Sequence, residues 1–243
     1  MILGTETPSL SVVIPVFNEA ENIGRVLEEF RAKVHTLHEL IVVYDVDEDT
    51  TVSVVRDLLA EMPSVRLHRN RRGRGVLNAM LSGIEAARAP LVLVSMADGS
   101  DDLRQVDGMV ALGESGADLV AASRYMRGGR HVGGPRLKRL LSRAAGLSLH
   151  RLGRVPIHDA TNNFKLNRRE FLESVKIESS GGFELAIELT VKATLDGRQL
   201  AELPTTWRDR TAGQTRFRLL AWLPLYLRWY LHLFRGRLLA RGR

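Results

Sequence analysis

Three acidic side chains follow closely on a short apolar segment near the middle of the chain. Leu91–Val94 is wholly apolar, and Asp98, Asp101 and Asp102 come soon after it. A short apolar run bounded by glycine and serine predicts a buried strand, and α/β sheets bind ligands beyond the carboxyl ends of such strands. Carboxylates at that position suit a hard divalent cation and, through the cation, phosphate oxygens. The same acids also suit the N-terminus of a helix beginning at Leu103, and the two interpretations are compatible.

Two other apolar segments also end in loops that carry acids. Residues 10–16 precede Glu19, and residues 40–44 precede Asp45. If the three strands are neighbours, their loops converge on one edge of the sheet. Carboxylates repel one another, so this gathering costs free energy unless a cation or hydrogen-bond donors lie between them. Helix capping accounts for single acids more readily than for three loops of the same kind.

The second half of the chain supplies positive charge at comparable positions. Arg124 follows a predicted strand, and Arg210 and Arg216 lie in a basic loop just before an apolar tail. The planar fork of an arginine side chain matches the geometry of phosphate oxygens. Acids for a metal, arginines for phosphates and an apolar tail together indicate a diphosphate-bearing donor and a lipid-linked acceptor.

Strand and helix patterns alternate along most of the chain, with short connections. This order predicts an α/β fold with a mostly parallel, twisted sheet and helices on both faces. The alternation loosens after Arg124, where a glycine-rich loop leads into a basic helix. The predicted strands are 10–16, 40–44, 65–68, 91–94, 118–123, 163–166 and 199–203, and the predicted helices are 23–34, 51–61, 76–87, 103–113, 136–152, 183–195 and 217–234.

Composition narrows the class of protein. The 243 residues suit one large domain, and the absence of cysteine excludes a disulfide framework and any cysteine-ligated metal site. The net charge is +7, but residues 207–243 hold nine arginines and one aspartate, so the excess positive charge belongs to the C-terminus. This distribution argues against a nucleic-acid-binding face on the domain and favours an anionic membrane surface as partner of the tail.

The C-terminal segment 217–234 is the most apolar part of the chain. Arg218, Pro224, Arg228 and His232 interrupt it, whereas a membrane-spanning helix needs about 20 apolar residues. Three interpretations remain open: an amphipathic helix in the membrane interface, a helix docked on the core, or a dimer contact. We therefore expect a domain over 1–214 and a basic amphipathic tail over 215–243, with membrane contact through 217–240 and a cytoplasmic, peripheral location. The predicted apolar face comprises Leu220, Leu223, Leu227, Tyr230, Leu231 and Phe234.

Taken together, these segments resemble family 2 glycosyltransferases of the GT-A fold. The resemblance is strongest to the dolichyl- and polyprenyl-phosphate glycosyltransferases, such as dolichyl-phosphate mannose synthase. It implies a Rossmann-like GT-A domain with a mixed, mostly parallel sheet, and it covers most of residues 10–216. No single motif is specific, but all of them occur in the family's order. The matching stretches are 13–22, 43–50, 75–83, 97–98, 123–129, 159–165, 182–188 and 202–216.

The resemblance implies roles for individual residues. Asp98, Arg124 and Asp159 would be the catalytic residues, and Asp98 matches the second acid of the family's Asp-x-Asp metal motif. Lys165 is a weaker candidate. The nucleotide pocket would be lined by Pro15, Phe17, Glu19, Asp45 and Asp98. Donor or acceptor phosphate would be held by Arg124, Arg210 and Arg216. The acceptor side of the site would be formed by the motif that contains Asp159, Thr161 and Asn162, with Arg139 and Arg143 of the preceding basic helix near it.

The chain departs from the family pattern at the metal motif. Met96 stands where the family has its first aspartate. Because Mg²⁺ and Mn²⁺ prefer oxygen ligands, methionine cannot replace that acid. Asp98 would then hold the metal with the donor diphosphate and water, or Asp101 or Asp102 would compensate; weakened metal dependence is a further possibility.

The resemblance implies an inverting transfer from a nucleotide-sugar, of the GDP-mannose or UDP-hexose type, to a polyprenyl or dolichyl phosphate. A phosphate acceptor is already ionised near neutral pH and needs no strong general base. One alternative is transfer to a sugar hydroxyl, which needs a carboxylate base such as Asp159, Asp101 or Asp102. Another is a non-catalytic nucleotide-binding module recruited to membranes, which the missing first aspartate suggests.

Overall fold

The computed structural model of the protein describes residues 7–209 and 219–241. These residues form a seven-stranded sheet with helices on both faces and a small two-stranded sheet. The strands are β1 (Leu10–Pro15), β2 (His38–Tyr44), β3 (Val65–Arg69), β4 (Leu91–Val94), β5 (Leu119–Ser123), β6 (Arg130–Val132), β7 (Lys165–Arg168), β8 (Leu200–Pro204) and β9 (Thr206–Arg208). The α-helices are α1 (Ala20–Lys33), α2 (Thr50–Leu58), α3 (Val76–Ala86), α4 (Val106–Glu114), α5 (Arg136–Arg151), α6 (Arg169–Ser174), α7 (Leu185–Leu195) and α8 (Leu219–Arg241).

The main sheet has the strand order β3-β2-β1-β4-β7-β5-β8. β1 runs parallel to β2 and β4, with Leu10 level with both His38 and Leu91. β7 is antiparallel to β4 and β5 and lies between them, while β5 and β8 are parallel. The mostly parallel α/β sheet predicted from the sequence is therefore confirmed. The mixed character of the sheet is likewise confirmed, but the sequence did not predict which strand is antiparallel, nor the β6–β9 sheet.

Alternation along the strands divides the apolar residues between two cores. In β1, Val12 and Ile14 point into a core with α1, α2 and α4, whereas Val13 points into a core with α3 and α7. Successive side chains of a strand face opposite sides of the sheet, so a strand covered on both faces is apolar at nearly every position. All six residues of β1 are buried, and all are apolar except Ser11, whose hydroxyl donates to Glu39 Oε1 at 2.6 Å.

The C-terminal helix α8 docks on the core formed by α3 and α7. Trp229 and Leu233 are fully buried there, while Leu223, Leu227 and Leu231 are 47%, 50% and 45% exposed. The single apolar face predicted for the tail is thus two faces, since Tyr230 and Phe234 pack partly against the core while Leu223, Leu227 and Leu231 are exposed; the side chain of Leu220 lies outside the described residues. Of the three interpretations of the tail, docking on the core describes its inner face. Within residues 7–209 and 219–241, no helix combines the length and apolar character needed to cross a membrane.

Two helical glycines allow the packing of α3 on the sheet to be tested. A Cβ atom at Gly83 in α3 would overlap Val13 and Val43, whereas at Gly24 in α1 its nearest neighbour would be Val54 at 4.0 Å. We expect Gly83→Ala to lower the free energy of unfolding by about 1–3 kcal/mol through overpacking. The control Gly24→Ala should raise it by up to about 1 kcal/mol through helix propensity. Urea denaturation measures both changes, and equal effects would contradict the close approach of α3.

Candidate active site

The carboxyl ends of β1, β2 and β4 lie side by side, and their loops form one edge of the sheet. Pro15 ends β1 and is buried, Phe17 lies exposed in the next loop, and Asp45 directly follows β2. Asp98 follows β4 and is buried. The structure therefore brings the loops predicted to line a nucleotide pocket to one edge.

Hydrogen bonds join the first two of these loops. The backbone N–H of Asn18 donates to Asp49 Oδ1 at 3.0 Å, and that of Glu19 donates to Thr51 Oγ1 at 2.9 Å. Asp49 also caps α2 by accepting from the backbone N–H of Thr51. The loop after β1 is thereby held against the N-terminus of α2, which places Glu19 at the sheet edge.

Asp45 connects the loop after β2 with the entrance to α3. Its Oδ1 accepts from Asn70 Nδ2 at 2.7 Å and its Oδ2 accepts from the backbone N–H of Gly75 at 2.8 Å. Gly75 has a φ of 122°, a conformation that side-chain-bearing residues rarely adopt. Asn70 and Gly75 were not among the predicted site residues, although the glycine-rich turn before α3 was visible in the sequence. At Asp45, hydrogen-bond donors rather than a cation offset the negative charge.

The three acids of the β4 loop have different surroundings. Asp98 Oδ1 accepts from the backbone N–H of Ser100 at 3.0 Å. Asp101 Oδ2 accepts from Ser95 Oγ at 3.2 Å and from the backbone N–H of Met96 at 3.1 Å. Burial and the neighbouring charge of Asp98 raise the pKa of Asp101 to about 7. The carboxyl group of Asp101 thus lies beside position 96, where the family pattern has its first acid.

Asp102 is a helix cap. Its two carboxylate oxygens each accept from the Arg104 side chain at 2.8 Å, and Oδ1 also accepts from the Arg104 backbone N–H. It thereby caps the short 3₁₀ turn Leu103–Gln105 that precedes α4. This engagement argues against Asp102 as the alternative metal ligand and supports the capping interpretation for this acid.

Asp98 is the acid best placed to hold a divalent metal. Within residues 7–209 and 219–241 no three His, Cys, Asp or Glu side chains are grouped so that they could hold one alone. Asp98 and Asp101 are close enough for their charges to interact, and a cation between them would relieve the repulsion. The residues therefore fit a metal only if a bound ligand supplies further oxygen atoms to it.

A buried ion pair joins the end of β5 to the 159–162 loop. Arg124 Nε lies 2.7 Å from Asp159 Oδ2 and Arg124 Nη2 lies 3.0 Å from Oδ1, and the two side chains are 9% and 0% exposed. Burial alone would raise the pKa of Asp159, but the charge and hydrogen bonds of Arg124 lower it to about 2. The predicted catalytic residues Arg124 and Asp159 thus bind each other, and Arg124 directs this side of its guanidinium group to protein instead of phosphate.

Further hydrogen bonds fix the 159–162 loop. Asp159 Oδ1 accepts from the backbone N–H of Thr161 at 3.3 Å and of Asn162 at 3.2 Å. Asn162 Nδ2 donates to the carbonyl of Ala122 in β5 at 2.9 Å. Lys165 is buried and donates to the carbonyls of Ala160 and Asn162. Burial lowers the pKa of Lys165 to about 7 against the opposing charge of Asp159.

Helix α5 reaches the ion pair through Ser142. Its hydroxyl lies 2.7 Å from Thr161 Oγ1, accepts from Tyr125 OH at 2.8 Å and accepts from Arg124 Nη2 at 3.3 Å. Ser142 was missed from the sequence, although it lies between Arg139 and Arg143 on the predicted basic helix.

Arg143 is exposed and lies near Tyr125. Burial raises the pKa of Tyr125, and the positive charges of Arg124 and Arg143 oppose that rise. Arg210 and Arg216, also predicted to bind phosphate, lie outside the described residues.

The ion pair makes a testable stability prediction. Arg124→Ala leaves Asp159 buried without its partner and should lower the free energy of unfolding by about 3–5 kcal/mol at pH 7. The surface pair of Arg31 with Glu28, at 3.8 Å, provides the control. Arg31→Ala should change the free energy of unfolding by less than about 0.5 kcal/mol. The stabilisation from ionised Asp159 should be complete above about pH 5 and decline as the pH falls towards 2, because the folded-state pKa is depressed. Urea denaturation across pH tests this, and equal costs for the two variants would exclude the pair as a stabilising centre.

Known proteins are similar to this chain in sequence and in fold. The family model described as glycosyl transferase family 2 matches residues 11–176. Polyprenol monophosphomannose synthase of Mycolicibacterium smegmatis is 31% identical over 84% of this chain and 79% of its own length. Dolichol-phosphate mannosyltransferase of Pyrococcus furiosus is 26% identical over 86% of this chain and 59% of its own length.

Among solved structures, a similar fold occurs in glucosyl-3-phosphoglycerate synthase from Mycobacterium tuberculosis, solved with Mn²⁺, UDP-glucose and phosphoglyceric acid. The similarity covers 93% of this chain and 79% of the other, with 20% identity and a TM-score of 0.69. The family match spans most of the sheet, including β1, β4 and β5 and the loops that follow them. The chain therefore belongs to glycosyl transferase family 2 and is a glycosyltransferase of the GT-A fold.

Proposed function

We propose that this glycosyltransferase moves a sugar, with inversion, from a nucleoside-diphosphate sugar to a polyprenyl or dolichyl phosphate. The observation that carries the proposal is the state of Asp159, which is buried, paired with Arg124 and has a pKa of about 2. Such a carboxylate is a weak proton acceptor, whereas a hydroxyl acceptor requires a good one. The names of the relatives from M. smegmatis and P. furiosus support the same acceptor class.

In the proposed reaction an ionised oxygen of the lipid phosphate attacks the anomeric carbon of the donor sugar. The bond from that carbon to the donor diphosphate breaks, and the nucleoside diphosphate leaves with the bonding electron pair. The protein's task is to orient two anionic reactants and to offset their charge. Arg124 contributes by fixing the 159–162 loop, and Arg139 and Arg143 on α5 are the proposed contacts to phosphate.

A divalent metal, Mg²⁺ or Mn²⁺, is part of the proposal. Asp98 would hold it together with oxygens of the donor diphosphate, and Met96 offers no oxygen ligand. When bound, the metal would supply positive charge to the diphosphate leaving group. Pro15, Phe17, Glu19 and Asp45 would line the nucleotide pocket, as the first two loops lie on the same sheet edge as Asp98.

A lipid acceptor also suits the outer surfaces of α5 and α8. Leu137, Leu140 and Leu141 of α5 are exposed, as are Leu223 and Leu227 of α8. Helix α8 contacts the segment that follows α5, where Arg237 donates to the carbonyl of Arg154 at 3.2 Å. Exposed leucines next to arginines suit the interface of an anionic membrane. We therefore propose a peripheral location on the cytoplasmic face.

The activity is tested with purified protein, GDP-mannose or UDP-hexoses, polyprenyl phosphate and Mg²⁺ or Mn²⁺. We expect a sugar product that partitions into organic solvent, and Asp98→Ala should reduce its rate by about 100-fold or more through lost charge stabilisation. The matched control is Asp102→Ala, which removes an acid from the same loop but only a helix cap. Absence of product with every donor would refute the proposed function, and equal losses in the two variants would refute the role of Asp98.

One observation favours a hydroxyl acceptor as the second candidate. The pKa of Asp101, raised by burial and by Asp98 to about 7, suits a general base at neutral pH. If this candidate is correct, soluble sugar acceptors support turnover and Asp101→Asn abolishes it. Under the proposed lipid-phosphate reaction, soluble hydroxyl acceptors give no product.

Membrane contact is tested with vesicles of phosphatidylcholine and phosphatidylglycerol. Replacing Leu223, Leu227 and Leu231 together by serine should weaken binding about tenfold or more, because each apolar carbon withdrawn from the interface costs about 0.8 kcal/mol. The control is Leu37→Ser, which changes an exposed leucine just before β2, and this variant should bind vesicles like wild type. Co-sedimentation measures the binding, and unchanged binding of the triple variant would exclude this face.

A further inference from the structure

The 178–184 loop, which precedes α7, has no role in the proposed reaction so far. Two buried glutamates, Glu184 and Glu188, hold it by accepting from five consecutive backbone N–H groups. Carboxylates bonded to several backbone N–H groups fix the shape of a loop. Glu188 accepts from residues 178 and 179 at 2.7 and 2.8 Å, and Glu184 accepts from residues 180, 181 and 182 at 2.9, 2.7 and 2.7 Å.

This loop is clamped between α3 and α8. A Cβ atom at Gly182 would lie 2.9 Å from the backbone nitrogen of Leu77, in the first turn of α3. A Cβ atom at Gly181 would overlap the ring of Trp222 on α8. The rings of Trp222 and Phe183 meet edge to face, with centroids 5.1 Å apart. The C-terminal helix α8 therefore packs against one side of the loop.

The carbonyl oxygen of Phe183 joins the loop to both α8 and the acceptor side of the site. It accepts from Tyr226 OH on α8 at 2.9 Å and from Asn163 Nδ2 at 3.3 Å. Asn163 directly follows the 159–162 loop, which Arg124 holds through Asp159. Burial and the charge of Glu184 raise the pKa of Tyr226, so its hydroxyl stays protonated and able to donate.

We propose that Tyr226 is a positioning residue for transfer, which holds the Phe183 carbonyl and thereby Asn163 and the 159–162 loop in place. For the reaction concerned, this inference rests on the proposed function. It makes α8 an integral part of the acceptor side of the site, with its inner face supporting the loops and its outer leucines left for the membrane. Tyr226 acts through Phe183 and Asn163, so we do not assign it a contact with substrate.

The test compares Tyr226→Phe with Tyr230→Phe, which removes a tyrosine hydroxyl from the same helix one turn away. In Tyr226→Phe we expect the backbone amides of residues 178–184 to exchange with deuterium about five times faster, the effect of losing one buried hydrogen bond. The KM for polyprenyl phosphate should rise by about three- to tenfold, while the KM for the nucleotide-sugar changes less than about twofold, because the contact of Gly182 with α3 is retained. Asn163→Ala, which removes the other donor to the same carbonyl, should give the same split.

Each outcome decides the inference. Wild-type exchange and KM values in Tyr226→Phe would overturn it, as would similar changes in Tyr230→Phe, which would indicate general weakening of α8. A rise in both KM values together would show that Tyr226 stabilises the fold without positioning the acceptor side. If wild-type protein transfers no sugar at all, the proposed function fails, and the exchange measurement still decides whether Tyr226 holds the loop.

Discussion

The arrangement of the 159–162 loop in this glycosyltransferase depends on the buried ion pair of Arg124 and Asp159. Removing two charges from water is costly, and their attraction offsets that cost only when the remaining donors and acceptors are also satisfied. Here Thr161, Ser142 and backbone N–H groups complete the bonding, so β5, the 159–162 loop and α5 meet around one pair of charges. A change in any of these three elements therefore alters the bonding of the other two.

The loops after β1, β2 and β4 carry negative charge in a different arrangement. Asp45 and Asp49 accept hydrogen bonds from backbone N–H groups of neighbouring loops, and Asp102 is bound by Arg104. These acids thus hold loops together at the sheet edge, although the sequence shows only their number and position. Of these acids only Asp98, with Asp101 nearby, is proposed to bind a cation, and the others named here bind neighbouring loops or Arg104.

The parallel core was predictable because its signals are local: apolar runs, short connections and loops that carry acids after β1, β2 and β4. The position of β7 was not, because a strand pairs through its backbone and four residues carry no mark of direction or neighbours. The partner of Arg124 was also hidden, since Asp159 lies 35 positions away. The apolar face of the tail was predicted wrongly for another reason. Leu223, Leu227 and Leu231 share a helical face, but Trp229 and Leu233 are buried on a different face, because the core there accommodates large side chains.

The antiparallel strand β7 also determines when the sheet can be completed while the chain is being synthesised. β1 to β4 pair among themselves, but both partners of β5, β7 and β8, come later in the chain. Until residues 165–168 have emerged from the ribosome, β5 has no strand of this sheet to pair with and β4 presents an open edge. Such edges are where unfinished chains aggregate. The 159–162 loop lies between β5 and β7 in the chain, so the strand that joins β4 to β5 also follows closely on the loop that binds Arg124.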